Sequence, residues 1–339
     1  MDTRRLGDSG LRVSPICLGT MLFGGQTDEE EAARLVDAAR AAGVNFIDTA
    51  DAYGGGESER VTGSLIAQDR DNWVLATKLG NPYGEGPNQR GSGRKAIMQA
   101  VDGSLSRLGT DYVDILYLHI DDYNTPLDET LGALADVIGR GKVRYFGVSN
   151  FAAWRIAEVV HTCADMGLIK PVVCQPNYSA VNRLPEAEIL PCCGHFGIGV
   201  APYSPLARGI LTGKYKPGAE PPQETRAGRK DPRMMEAEWR PESLEIARTF
   251  AARAEERDMT GSQYAINWLL NNELVSSVIL GPRTLAQWKD NLGALAHDWT
   301  AEDEAFVDSL VPPGHLSTPG FTDPRYPVRG RWRRVQPAR

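Results

Sequence analysis

The chain has 339 residues, 42% of them hydrophobic and 24% charged, with a formal net charge of −7. That balance is globular and argues against a nucleic-acid partner, whose surface gains affinity by neutralising phosphates. The basic run Arg329, Arg331, Arg333 and Arg334 is the local exception, and it reads as a solvated terminus.

Five cysteines, Cys17, Cys163, Cys174, Cys192 and Cys193, have neither metal-ligand spacing nor an even count. Reduced thiols in a cytoplasmic protein without a bound metal are the expectation. The opening Met-Asp-Thr-Arg-Arg-Leu-Gly has no apolar signal core, and no stretch approaches the ~20 apolar residues of a membrane span. Secretion and membrane spanning are therefore not expected.

In chain order, residues 4–15, turning at Asp8-Ser-Gly10, predict a β-hairpin that plugs the amino end of a barrel. Eight short runs rich in β-branched and aromatic residues then predict strands over 16–20, 45–50, 73–79, 112–119, 143–150, 172–179, 198–205 and 276–283. Between them, 27–43, 92–109, 127–141, 151–167 and 184–194 have helical spacing, several ending at Gly where a left-handed C-cap is wanted. The first of these has acids in its first turn and an apolar stripe through Ala32, Leu35, Val36 and Ala39.

Strand followed by helix, eight times over, predicts an α/β fold, a (β/α)8 TIM barrel. Continuous apolar runs such as Ile115-Leu-Tyr-Leu fit strands covered on both faces. A doubly wound sheet is the competing fold, but no Gly-x-Gly-x-x-Gly follows the first strand. A single domain over 1–339 is expected: the hairpin 1–15, the barrel 16–311 and a C-terminal tail 312–339 that wraps without regular structure. Residues 215–241, rich in Pro, Gly, Arg and Glu and without periodicity, predict a mobile loop over the active face.

Asp48, Lys78 and His119 close three of the predicted strands, and Tyr53 lies in the turn after the second. A carboxylate, an ammonium, an imidazole and a phenol at one barrel rim suit proton transfer to a carbonyl oxygen. Lys78 is expected to lower the Tyr53 pKa, Asp48 to hold Lys78 charged, and His119 to donate to the carbonyl oxygen as it gains charge. Taken singly, His119 reads as a packed histidine, Lys78 with Asp48 as a structural ion pair and Tyr53 as a half-buried aromatic. Gly54-Gly-Gly56 resembles a phosphate loop but lacks the following Lys-Ser or Lys-Thr, so a turn freeing Tyr53 is expected.

Five segments carry a resemblance: 46–53 (Phe-Ile-Asp-Thr-Ala-Asp-Ala-Tyr), 76–78 (Ala-Thr-Lys), Leu118-His119, 141–150 (Gly-Lys-Val-Arg-Tyr-Phe-Gly-Val-Ser-Asn) and 203–209 (Tyr-Ser-Pro-Leu-Ala-Arg-Gly). With them in this order the chain resembles the aldo-keto reductase superfamily, in the branch of aryl-alcohol dehydrogenase-like bacterial members. The resemblance implies direct hydride transfer between NADPH and a small carbonyl or alcohol, with Tyr53 as acid and no metal. A cofactor-sensing accessory subunit, similar to potassium-channel β subunits, is the alternative from the same resemblance, and a barrel lyase or isomerase without nicotinamide is the remaining one.

The resemblance also implies a cofactor set. Ser149, Asn150 and Gln175 would bind the carboxamide and Tyr203 would stack on the nicotinamide. Ser204, Pro205, Leu206 and Gly209 would cover the pyrophosphate with Lys214 nearby. Gly281, Arg283, Gln287, Asp290 and Asn291 would hold the adenosine end, with Arg283 on the 2′-phosphate. Pro282 departs from the family's usual Ser or basic residue beside that Arg. Gly19, Thr20, Met21 and Asp48 complete the set.

Substrate walls are expected from Met21 and Phe23, Tyr83, Tyr123, and the tail aromatics Phe321, Tyr326 and Trp332, beside Tyr53 and His119. Such walls suit an aryl carbonyl compound, whereas Asn81, Asn88, Gln89 and Arg90 would suit a sugar. Arg208 is left without a role.

Overall fold

The computed structural model describes residues 1–327, so Trp332 and the basic run from Arg329 lie outside the described residues. The chain opens with β1 (Arg4–Arg5) and β2 (Arg12–Val13), paired antiparallel. Eight parallel strands follow: β3 (Ile16–Gly19), β4 (Phe46–Asp48), β5 (Val74–Leu79), β6 (Val113–Leu118), β7 (Val143–Ser149), β8 (Val173–Gln175), β9 (Gly199–Val200) and β10 (Val278–Leu280). They neighbour one another in chain order, and β10 pairs with β3. Amides of Ser276 and Ile279 donate to the carbonyls of Val200 and Pro202 at 2.8 and 3.0 Å, joining the two ends of the sheet. The eight runs thus form the closed parallel barrel they predict.

Helices surround it: α1 (Glu29–Ala41), α2 (Glu57–Ile66), α3 (Arg94–Leu108), α4 (Leu127–Gly139), α5 (Ala153–Asp165), α6 (Ile189–Phe196), α7 (Pro232–Ala237), α8 (Pro241–Glu256), α9 (Gly261–Leu270), α10 (Leu285–Leu292) and α11 (Ala301–Leu310). Among the described residues, no helix is long and apolar enough to cross a membrane.

Alternation along each strand divides the apolar side chains into two compartments. Leu18, Ile47, Leu75, Leu116 and Val148 pack outward against the helices. Cys17, Phe46, Ala76, Ile115, Tyr117 and Val173 fill the interior, where Leu6 and Val13 of the hairpin join them as the expected plug. Gly147 makes room for the central ring: a Cβ there would sit 2.8 Å from Tyr117 Cδ1 and 2.7 Å from the Val173 carbonyl oxygen.

Three expectations about elements change. The segment 184–194 is a short 3-10 turn (Leu184–Glu186) followed by α6, which ends at Gly197 rather than Gly194. Pro191 explains the later start at Ile189, because a residue without an N–H fits the first helical turn and not the interior. Helix α2 was not singled out by spacing; it contains Gly63, whose missing Cβ lets the helix lie against the Leu108 backbone. Finally, 215–241 is not structureless. Asp231 caps α7 by accepting from the Met234 amide at 2.9 Å, and Pro232 begins that helix.

Candidate active site in the barrel mouth

The alternation that fills the barrel also aims the chemistry. Asp48 comes two residues after the interior Phe46, Lys78 two after Ala76, and His119 two after Tyr117, all toward the carboxyl ends of adjacent strands. Each side chain therefore continues the interior row of its strand at the mouth. Ser149 follows Gly147 and Gln175 follows Val173 in the same way. Tyr53 arrives from the turn after β4. Gly54, Gly55 and Gly56 follow it at φ of 58°, 67° and 97°, which makes that stretch a turn, as expected, and not part of the cleft lining.

Lys78 is fully buried and donates to Asp48 Oδ2, to the Thr49 carbonyl at 2.7 Å and to Tyr53 Oη at 3.2 Å. Gln175 Nε2 donates to the other Asp48 oxygen at 3.1 Å. Burial alone would lower the Lys78 ammonium, but Asp48 and Tyr53 outweigh it and hold it above its ordinary value. The edge of one ring meets the face of the other between Tyr53 and His119, at 5.8 Å between centroids and 82° between planes.

Burial raises the Tyr53 phenol above its ordinary value, Lys78 pulls it down, and Asp48 pushes it up again. The ammonium therefore does not bring the phenol below its ordinary range, as the residues alone predict, because its effect is offset by desolvation and by its own counter-ion. Burial first, then the charges of Lys78 and Arg325, hold His119 well below its usual value, so the imidazole is neutral at neutral pH. Its Nδ1 is buried and has no hydrogen-bond partner among the described residues.

One continuous cleft of about 720 Å³ runs from this group outward, a volume typical of a small-molecule or cofactor site. Gly19, Thr20, Met21, Ser149, Asn150, Gln175, Tyr203, Ser204, Pro205, Leu206, Gly209, Lys214, Gly281, Arg283, Gln287, Asp290 and Asn291 line it with Asp48, Tyr53 and His119. Its middle is cross-linked. Tyr203 Oη donates to Asn150 Oδ1 at 2.8 Å, and Asn150 Nδ2 donates to the His119 carbonyl at 2.9 Å and to Ser149 Oγ at 3.0 Å.

Beyond Tyr203 the backbone turns left-handed at Ser204 (φ 56°), Ala207 (45°), Arg208 (54°) and Gly209 (100°). For non-glycine residues this costs about 1–3 kcal/mol each, a strain that clusters at ligand clamps and that suits an anion-binding concavity of backbone amides. Lys214 lies over that turn, and a Cβ on Gly209 would come 3.0 Å from its Nζ. Burial, followed by the charges of Arg283, Arg226 and Arg229, lowers the Lys214 ammonium below its ordinary value. Four cations therefore share one end of the cleft, where a multiply charged anion would relieve their repulsion.

Arg226 and Arg229 were not expected here; they arrive because 215–241 folds back over the mouth, with Glu224, Thr225 and Arg233 also lining it. Arg208, Asn81, Arg325 and Tyr326 line it too, and of these Asn81 and Tyr326 were foreseen.

The other wall residues fall elsewhere. Phe23 is 1% exposed and packs in the core with Leu35 and Val61, so it is not a substrate wall. Tyr83 packs against the same core and its hydroxyl reaches Gln99 Oε1 at 3.4 Å, outside the cleft lining. Tyr123 is exposed beside Trp154, 6.3 Å between ring centroids, and also stands apart from the cleft. Phe321 lies under the Arg240 guanidinium at 4.1 Å. A run of apolar strand residues marks a side chain as buried, but a loop aromatic has no periodicity to tell core from pocket.

One buried acid near the site has no evident counterpart. Asp51 is 3% exposed, and its carboxylate has no side-chain hydrogen-bond partner and no ion pair among the described residues. Burial, then the neighbouring Glu59 carboxylate, pushes it from 3.8 to about 7, with Arg107 offsetting only in part. Because the folded value is raised, its contribution to stability is complete below the unfolded value and is lost as pH rises through about 7. Asp51→Asn is therefore expected to stabilise the fold relative to the parent, in denaturant unfolding at each pH, by a margin that widens from about pH 4 to about pH 7 and levels off above that at no more than about 4 kcal/mol. A margin independent of pH would show that this carboxyl is not forced to ionise in the fold.

The model of the Aldo/keto reductase family matches residues 15–312. A probable voltage-gated potassium channel subunit beta from Oryza sativa subsp. japonica is 38% identical over 300 residues, covering 87% of this chain and 91% of that protein. One from Arabidopsis thaliana is 37% identical over 302 residues, with 87% and 91% covered. The uncharacterized oxidoreductase YrpG of Bacillus subtilis (strain 168) is 34% identical over 331 residues, 94% of this chain and 98% of that one.

Proposed function

The chain belongs to the aldo/keto reductase family, and on that premise we propose that it interconverts aldehydes or ketones and alcohols with NADPH. The observation behind this reading is the buried Asp48–Lys78–Tyr53 chain beside a neutral His119, at one end of a cleft whose other end gathers four cations.

NADPH, when bound, supplies the hydride. Tyr53 Oη, protonated at neutral pH because its pKa is raised, gives its proton to the carbonyl oxygen as that oxygen gains charge. The phenolate left behind stands next to Lys78, whose charge Asp48 maintains. His119, neutral, offers one ring N–H to the same oxygen and so orients the carbonyl. Ser149, Asn150 and Gln175 would hold the carboxamide, the 204–209 turn and Lys214 the pyrophosphate, and Arg283 the 2′-phosphate. The test is NADPH oxidation by purified protein with an aromatic aldehyde such as 4-nitrobenzaldehyde.

Arg283 also sets cofactor choice in this reading. Among the described residues its side chain donates only through Nη1, to the Glu224 carbonyl at 3.0 Å, which leaves the rest of the guanidinium to a phosphate. Arg283→Ala is expected to lower the preference for NADPH over NADH by about 10- to 100-fold in kcat/KM, the worth of a charge-assisted hydrogen bond. An unaltered preference would remove Arg283 from 2′-phosphate recognition.

A second reading, a cofactor-sensing accessory subunit, is favoured by the likeness to proteins named as probable potassium-channel β subunits. It predicts tight NADPH binding with no turnover across a broad carbonyl panel.

A further inference from the structure

The cleft mouth on the His119 side holds a cation that the cofactor reading does not use. Arg325 comes from the tail after the barrel, on a turn in which its own amide donates to Asp323 Oδ1 at 2.9 Å and the Tyr326 amide donates to the Asp323 carbonyl at 3.0 Å. Arg233 at the start of α7 holds the same Asp323 carboxylate through two bonds of 3.1 and 2.7 Å. The turn is thus tied to the helix beside the cleft, and Arg325 with it.

The guanidinium of Arg325 meets no carboxylate within ion-pair distance among the described residues, whereas Arg233 has Asp323 and Arg208 has Glu238 at 4.0 Å. Among the described residues its one side-chain hydrogen bond goes to Asn81 Oδ1 at 3.0 Å. A guanidinium only donates, so the Asn81 amide must face it with oxygen and turn its NH2 away. Asn81 lies three residues past Lys78, and both Asn81 and Arg325 line the cleft with Tyr53 and His119. Because Asn81 directly follows the strand that carries Lys78, its bond to Arg325 places that guanidinium on the reacting side and not at the adenosine end, in keeping with its part in holding His119 neutral.

We infer that Arg325 and Asn81 form an anion subsite at the mouth and that the preferred substrates are aldehydes or ketones bearing a carboxylate. A carboxylate accepts from the free edge of the guanidinium and from the Asn81 NH2 while the carbonyl reaches Tyr53 and His119. This rests on the carbonyl-reduction reading and narrows it. An aryl or alkyl carbonyl without charge would leave that donor pair to water.

The experiment compares 4-carboxybenzaldehyde with its neutral methyl ester, methyl 4-formylbenzoate, as substrates of the full chain. Unsubstituted protein is expected to favour the carboxylate by about tenfold or more in kcat/KM, chiefly through KM, and added salt to erode the preference. Arg325→Gln is expected to bring the two values together, and Arg325→Lys to keep part of the difference. A ratio equal in the parent and in Arg325→Gln overturns the subsite. Binding of 4-carboxybenzyl alcohol against benzyl alcohol to NADP-loaded protein reads the same contact without turnover. If no carbonyl compound is reduced, the reductase reading fails; tighter binding of the carboxylate that Arg325→Gln abolishes still supports the subsite, and equal binding overturns it.

Discussion

Tyr53→Phe is expected to lower kcat for carbonyl reduction by about 10²- to 10⁴-fold, the usual worth of a positioned general acid. Among the described residues the phenolic oxygen makes one side-chain hydrogen bond, to Lys78 at 3.2 Å, so the substitution removes a proton donor while the ring keeps its place against His119. NADPH affinity and Tm should change little. The pH profile is set by the directions of the shifts at the site. With the phenol raised, reduction holds through neutral pH and declines only on the alkaline side as the proton is lost. Alcohol oxidation, which needs the phenolate, should rise over the same range. With His119 held well below its usual value, no acid limb is expected near ordinary histidine titration. Unchanged turnover in Tyr53→Phe, measured by NADPH oxidation, would take this phenol out of the chemistry.

Lys78→Met is expected to abolish measurable turnover and also to destabilise the fold by about 3–5 kcal/mol, the effect of leaving one member of a buried pair uncompensated. Lys78 is 0% exposed and Asp48 2%, and without the ammonium Asp48 keeps, among the described residues, only the Gln175 donor at 3.1 Å. Burial already holds Asp48 above its ordinary value, and in the variant it would rise further because the offset from Lys78 is gone. A raised acid supports stability below its unfolded value and loses that support as pH climbs, so the loss in Tm should be greatest at high pH. Adding Asp48→Asn should recover most of the stability and none of the turnover. If the double variant is as unstable as Lys78→Met, the loss comes from packing and not from charge.

Much of this site is legible in the sequence because two periodicities reinforce each other. A residue two past an interior strand position is itself interior, so Asp48, Lys78 and His119 could be placed at one rim from their strands alone. The eight strand runs set the barrel in the same way. Each run extends one or more residues past the observed strand at one end or both, as at 172–179 against Val173–Gln175, because pairing ends before the side-chain pattern does.

What was not legible depends on contacts between distant segments. Arg226 and Arg229 belong to a stretch without periodicity, and only its fold back over the mouth brings them to Lys214. Phe23 and Tyr83 sit in loops next to the site in sequence, yet the core takes both rings. The Tyr53 pKa was read in the wrong direction because proximity of an ammonium is visible in a motif, while desolvation and the counter-ion behind it are not.

In the proposed reaction this chain passes hydride from NADPH to a carbonyl carbon held at the Tyr53–Lys78 pair. Single-turnover reaction of the purified protein with NADPH deuterated at C4 of the dihydronicotinamide and 4-nitrobenzaldehyde, analysed by mass spectrometry of the alcohol, tests it most directly. Deuterium on the carbinol carbon, lost in Tyr53→Phe, is the result predicted; NADPH that binds with all label retained on the cofactor would contradict it.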